Sequence, residues 1–301
     1  MVQIGRIKGE TAAAQGEPAI QAVRRIAELS QRQARVLFET GKVFVGTSPC
    51  LDWKRKLDAG AVVSVDTDRR RPARQPGLDP SRVLEVSRSL VVVDKPPLLV
   101  SVPPTKTGEP TVLDLLAEQL ASCPGSPRPV PLHRLDRETS GLMLFGLAGA
   151  DLSSLRRQFE LHEVEREYYA VVAGRPDPMT LAEDIDVTRS RFGGPATSRY
   201  AVTEVEPVQQ SGPVTLVRCR PRTGRFHQIR IQLAAAGHPL LGEREHRPDG
   251  YRPPIHAPRL ALQSFRLTFH HPDLGRNATY ELPVDPYLQE LVRKGAEAWD
   301  S

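Results

Sequence analysis

The chain has 301 residues, 39% hydrophobic, 26% charged and 5% aromatic, with a net charge of +5. That composition can bury one large core beside a small module and lies far from that of a disordered chain. No run of about 18 apolar residues and no apolar signal core is present, so neither a membrane helix nor a leader is expected, and three scattered cysteines without a Cys-x-x-Cys suit a reducing cytoplasm.

The first 80 residues hold 14 Lys+Arg against 9 Asp+Glu and therefore the whole positive excess. A basic module on a neutral body suggests one part that grips phosphates and another that does chemistry, although a solvated charge pattern is the plain alternative. Residues 1–16 are expected to be mobile. Helices over 19–29 and 31–40, a stop at Gly41, and strands over 42–45 and 61–65 follow. Within residues 17–66, Ser30, Leu37, Gly41, Val43, Val45, Gly60 and Val65 keep a spacing that resembles the small alpha-L RNA-binding module of ribosomal small-subunit proteins. Gln31, Gly46 and Ala61 depart from its usual basic residue, Asn and Asp. The likeness implies that Arg32, Arg35 and Lys42 lie on RNA. Residues 67–82 are rich in Pro and Arg without periodicity, and read as an exposed, semi-rigid linker.

The body over 83–285 opens with strands at 83–86 and 90–94 and the loop Lys95-Pro-Pro97. Thr111 caps a helix ending at Leu120, with Asp114 sealing its first turn. In the stretch from Pro131 to Leu144, Asp136 stands between a basic turn and a Thr-Ser-Gly that leads into a strand over 142–147. A carboxylate at a strand mouth, flanked by Arg134 and Arg137, can act as nucleophile or general base; the alternative is a capped surface turn. A helix over 151–161 precedes strands over 168–172, 198–205 and 214–220, the first carrying Tyr168 and Tyr169.

The segment from Pro221 to Gly242 reads as a turn, a helix over 226–236 and a Gly stop. Phe226, Ile229, Leu233 and Ala236 recur at helical spacing as a buried stripe, with Arg230 at its edge. His227 has no second His or Cys at a ligand spacing, so a hydrogen-bonding role is expected and no metal. Tyr168 could equally be a core aromatic, and Arg225 and Arg230 solvated charges. Strands over 260–269 and 278–282 and a helix over 286–294 with a polar tail to 301 complete the chain. Many strands with few helices indicate an α+β fold on a mixed, largely antiparallel sheet.

Three of these segments, 131–144, 166–174 and 221–242, resemble in order and spacing the three blocks of RluA-type pseudouridine synthases, which isomerise uridine in RNA. The resemblance implies that Asp136 is the catalytic aspartate, Tyr168 the ring-facing tyrosine with a phenol available to the ring-carbon proton, and Arg230 the partner of the aspartate. Paired hydrogen bonds from Arg230 would favour the ionised carboxylate. Arg134, Arg225 and His227 are placed near the substrate RNA. Leu98 stands where the family has Gly after Lys-Pro-x, so a different loop path is expected. Gly146-Leu147-Ala148 replaces Ala-Lys, and Gln232 and Gln263 stand where His is usual. A cofactor-free, metal-free reaction on RNA is implied, ribosomal RNA preferred and transfer RNA possible, by a cytoplasmic monomer. Two other readings stay open: a catalytically inactive RNA-binding ribosome-assembly factor, and a carboxylate-dependent glycosidase with Glu138 or Glu165 as second acid.

Overall fold

A computed structural model describes residues 7–39, 42–46, 48–50, 53–67, 78–102, 110–121, 127–186 and 198–298. Gly41, Cys123 and residues 68–77 of the expected linker lie outside them. Backbone contacts divide the chain into two units, Met1–Pro76 and Gly77–Ser301.

The first unit contains β1 (Lys8–Ala12), α1 (Ala19–Ala27), α2 (Gln31–Glu39), β2 (Val43–Val45), β3 (Ser48–Pro49) and β4 (Val62–Asp66). Its sheet runs in the order β1-β4-β2-β3, all antiparallel. Ser30 Oγ accepts from the Gln33 amide while Gln33 Oε1 accepts from the Ser30 amide, a reciprocal cap that starts α2. Ala22, Val23, Leu37, Phe38, Val43 and Val63 form the core. Residues 1–6 lie outside the described residues, and the expectation of a mobile segment is corrected for residues 7–16 by β1. Its polar sequence Lys-Gly-Glu-Thr-Ala carries no apolar period, yet its backbone pairs along the whole of β4.

The second unit is built on one ten-stranded sheet. In chain order it contains β5 (Val83–Val86), β6 (Leu90–Lys95), α3 (Val112–Leu120), β7 (Pro129–Pro131), β8 (Ser140–Leu147), α4 (Ser153–Glu160) and β9 (Glu165–Ala173). β10 (Met179–Asp186), β11 (Ser198–Ser211), β12 (Val214–Pro221), α5 (Gln228–Ala235), β13 (Leu262–His271), β14 (Arg276–Glu281) and α6 (Pro286–Glu297) follow. The strand path is β10-β11-β12-β9-β13-β8-β6-β5, with β14 on β13 and β7 on β8. Every pairing is antiparallel except β8 with β13, where Ser140 and Gly141 face Gln263 and Ser264.

Side-chain parity along the central strands sorts the core. Met143 and Phe145 of β8 and Tyr168, Ala170 and Val172 of β9 share one face with α3, Ile229 and Leu233. Leu142 and Leu144 face the other way toward Leu155 of α4, and Val171 and Ala173 face Leu288 and Leu291 of α6. Helices on both faces leave β8 buried at every position, which is why Ser140–Leu147 reads as a continuous apolar run rather than an alternation.

Three expectations need correction. β10 is an unexpected edge strand: Met179, Leu181 and Ile185 turn inward at alternate positions, while most of its residues are exposed and Glu183 interrupts the alternation. The helix expected over 226–236 begins only at Gln228, because His227 takes a left-handed conformation at its N-terminus (φ 52°). That helix has no single apolar stripe: Gln228, Arg230 and Gln232 are as buried as Ile229 and Leu233. Gln232 is sealed by bonds to Thr203 Oγ1 and the carbonyls of Leu181 and Ala201.

Candidate active site

Asp136 lies in the turn that feeds β8, and several distant groups hold that turn. Ser101 Oγ donates to the Leu135 carbonyl at 2.6 Å and accepts from the Leu135 amide at 3.1 Å. Lys95, fully buried, donates through Nζ to the carbonyls of Pro96, Leu99 and Arg137. Burial pushes its ammonium down to about 7 while the neighbouring Asp136 acts against the fall. The Thr139 amide closes back on the Asp136 carbonyl. After the turn, Gly141 at φ +109° passes so close to β13 that an added Cβ would sit 2.0 Å from the Ser264 carbonyl.

In the loop after Lys95, Leu98 takes φ +66°, the left-handed conformation a glycine adopts freely, and its carbonyl accepts from Arg137 Nε. The leucine bears the strain of that conformation and ties the loop to the Asp136 turn.

Asp136, Tyr168, Arg134, Arg225, His227 and Arg230 all line one cavity of about 400 Å³. Tyr168 is 8% exposed, and burial raises its phenol above the usual range, so it stays protonated near neutrality. Tyr169 points to the opposite face and stacks on Phe265 with centroids 3.7 Å apart. Arg134 is exposed at the rim, and Arg225 is tied through Nε to the Tyr200 carbonyl. Arg166, which the sequence reading passed over, also lines the cavity and donates to the Thr223 carbonyl.

Arg230 is where the structure departs most from expectation. Its paired bonds go not to Asp136 but to Glu243: Nε to Oε2 at 2.7 Å and Nη2 to Oε1 at 2.8 Å. Asp136 Oδ2 lies 3.5 Å from Nη1, which also approaches His227 Nε2 at 2.9 Å. Burial would lift Glu243, but Arg230 and the backbone donors around it hold its carboxyl below the usual range. Asp136 goes the other way. Burial outweighs Arg230, Arg134 and Lys95, and its carboxyl is raised.

Glu243 was missed because its partner is set by tertiary packing; the one local signal is an acid directly after Leu240-Leu241-Gly242. Gly242 permits the turn, with φ +79° and the Arg259 carbonyl 2.0 Å from where a Cβ would stand. Glu243 Oε1 also accepts from the amides of Arg244, Glu245 and His246. His246 in turn brings Nε2 to 2.8 Å from His227 Nδ1, a neighbour that spacing in sequence did not suggest. In the first unit, Arg32 and Arg35 are exposed on α2, Lys42 is half-buried, and Arg35 lies 4.1 Å over the Trp53 ring.

Comparison with known proteins gives the family and the fold. The family described as RNA pseudouridylate synthase matches residues 89–235. A dual-specificity RNA pseudouridine synthase RluA of Escherichia coli O6:H1 is 33% identical over 211 residues, covering 67% of this chain and 93% of that one. A ribosomal large subunit pseudouridine synthase D of Vibrio cholerae is 28% identical over 270 residues, covering 84% of this chain and 82% of that one. The fold is similar to that of human RNA pseudouridylate synthase domain containing 4, with a TM-score of 0.58 at 19% identity over 72% of this chain and 93% of that one.

Proposed function

The chain belongs to the RNA pseudouridylate synthase family, of the RluA type, and from that membership we propose that it isomerises uridines in ribosomal RNA at the Asp136 cavity. The observation that carries the reading is convergence. A half-buried carboxylate, an aromatic ring and a guanidinium fixed from behind by a second carboxylate meet in one space of base size.

The reaction breaks the bond between ribose and a ring nitrogen, turns the uracil and rejoins it through a ring carbon. Ionised Asp136 forms a covalent bond to the sugar or the ring, dividing one hard step into two. Tyr168 supplies a face on which the detached base turns without escaping. Arg230, held by Glu243, presents Nη1 to Asp136 as a single contact, which steadies the carboxylate while leaving it reactive. The target nucleotide is flipped from its stack to reach the cavity, and Arg134 at the rim is placed to meet the flanking backbone.

The ribosomal target is supported by the large-subunit enzyme of Vibrio cholerae, whose alignment covers more of this chain than Gly77–Ser301 provides and so reaches into the first unit. On this reading that unit grips RNA through Arg32, Arg35 and Lys42. The buried cysteines Cys50 and Cys219 accord with work in a reducing cytoplasm. Incubating the protein with ribosomal and transfer RNA and mapping pseudouridine tests the proposal. Isomerised uridine in ribosomal RNA, absent with Asp136→Asn, is the expected result. Released uracil would indicate a hydrolase, and bound but unchanged RNA a binding protein.

A further inference from the structure

Behind the catalytic pair, three donor atoms from two segments converge. They are Nδ1 of His227, at the N-terminus of α5, and Nε2 of His246 and a carboxylate oxygen of Glu245 in the following loop, all within 4.8 Å of one another. We propose that they form a site for a divalent cation of the zinc class, and that filling it inhibits the enzyme.

Donor type and spacing both fit. Two imidazole nitrogens and one carboxylate suit Zn²⁺, and ligands at about 2.0–2.1 Å from a tetrahedral ion stand roughly 3.3 Å apart. The two measured separations from His227 Nδ1 bracket that value, 2.8 Å to His246 Nε2 and 3.7 Å to Glu245 Oε2. His227 is buried and Glu245 exposed, so the site has a fixed inner ligand and an outer side open to solvent. The loop is braced as metal-binding loops are, because Glu243 Oε1 holds the backbone amides of both Glu245 and His246. Arg230 divides its charge among Glu243, Asp136 and Glu245, the last at 3.8 Å, so the ion would share the Glu245 carboxylate with a guanidinium.

The link to catalysis is a proton. Arg230 can only donate, so its 2.9 Å approach to His227 Nε2 requires a lone pair there, which puts the imidazole proton on Nδ1 facing His246. A metal on Nδ1 needs that lone pair instead. The proton is displaced to solvent and His227 takes one up at Nε2, where it opposes the Nη1 hydrogen of Arg230 and turns to Asp136 Oδ1, 3.5 Å away. Occupancy thus breaks one contact of Arg230 and places a competing donor on the catalytic carboxylate. His246 and Glu245 do not line the cavity, so both can be changed without removing a group from it.

The test uses the full chain and Zn²⁺ alone at buffered free concentrations, with Co²⁺ absorption as a second probe of coordination. One equivalent should bind the parent, and at least about tenfold more weakly to His246→Ala and to Glu245→Gln. Pseudouridine formation by the parent should fall as the ion binds and recover on chelation. His246→Ala should be active without metal and resist the ion at concentrations that silence the parent, with His246→Gln and melting curves as controls for folding. Equal affinity in parent and variants, or stoichiometric binding that leaves the rate unchanged, would overturn the proposal. The rate measurement rests on the pseudouridine reading. A chain inactive without metal would fail that reading, while the titration would still decide the site.

Discussion

The Arg230 guanidinium gives its paired bonds to Glu243 and a single long contact to Asp136, and that division sets the behaviour of both acids. Asp136 has a raised pKa, so the fold favours its protonated form. Its contribution to stability is present below the unfolded value and is lost as pH rises through the folded one. Asp136→Asn should therefore abolish turnover yet melt higher than the parent near neutral pH, the gap closing toward about pH 4. Melting curves across pH check this, and a lower melting point at every pH would contradict it. Glu243→Gln should do the reverse, leaving a buried guanidinium without its anion, for a loss of about 3–5 kcal/mol in denaturant titration. Turnover should fall with it, as Arg230 is released toward Asp136. Asp136, Tyr168 and Arg230 were legible in sequence because each stands inside a local block of residues. Glu243 and Ser101 were not, since each acts through a tertiary contact that no local pattern announces.

At the scale of elements, capped and strongly apolar segments were readable and quiet ones were not. Thr111 and Asp114 form the capping box expected of them, and β8 carries an apolar run that nothing else explains. β1 is held by backbone pairing with polar side chains, which leaves no pattern to read, and in β10 the alternation of Met179, Leu181 and Ile185 is interrupted by Glu183 on the same face. Leu98 and Gly141 show how far the Asp136 turn depends on backbone conformation. Leu98→Gly should stabilise the fold by about 0.5–1 kcal/mol, the relief of a left-handed leucine offset in part by glycine's greater freedom in the unfolded chain. Urea titration would show it, and a loss of stability would mean that the exposed leucine side chain matters more than its backbone. Gly141→Ala should cost about 3 kcal/mol or more, because its Cβ meets the Ser264 carbonyl and β8 must part from β13. Activity should vanish in this variant even where circular dichroism shows that it still folds.

Over the whole sequence, the net positive charge resides in the first 80 residues. If the excess in the first 80 residues grips phosphates, a chain beginning at Gly77 should still isomerise a short RNA but bind long RNA with a salt dependence flatter by roughly 2–3 logarithmic units, for three or four lost contacts. Binding of both proteins to one RNA across a salt series measures this, and identical lines would leave the first unit without a part in RNA binding. The parallel seam between β8 and β13 carries a different consequence, one of timing. The strand that fixes Gly141 belongs to a segment made well over a hundred residues later, and contacts of such separation form slowly. The chain must be made past Ser264 before the Asp136 turn has its neighbour, so nascent chains that stop short of β13 should be inert toward RNA. Competence should return in refolding with the last, slowest phase.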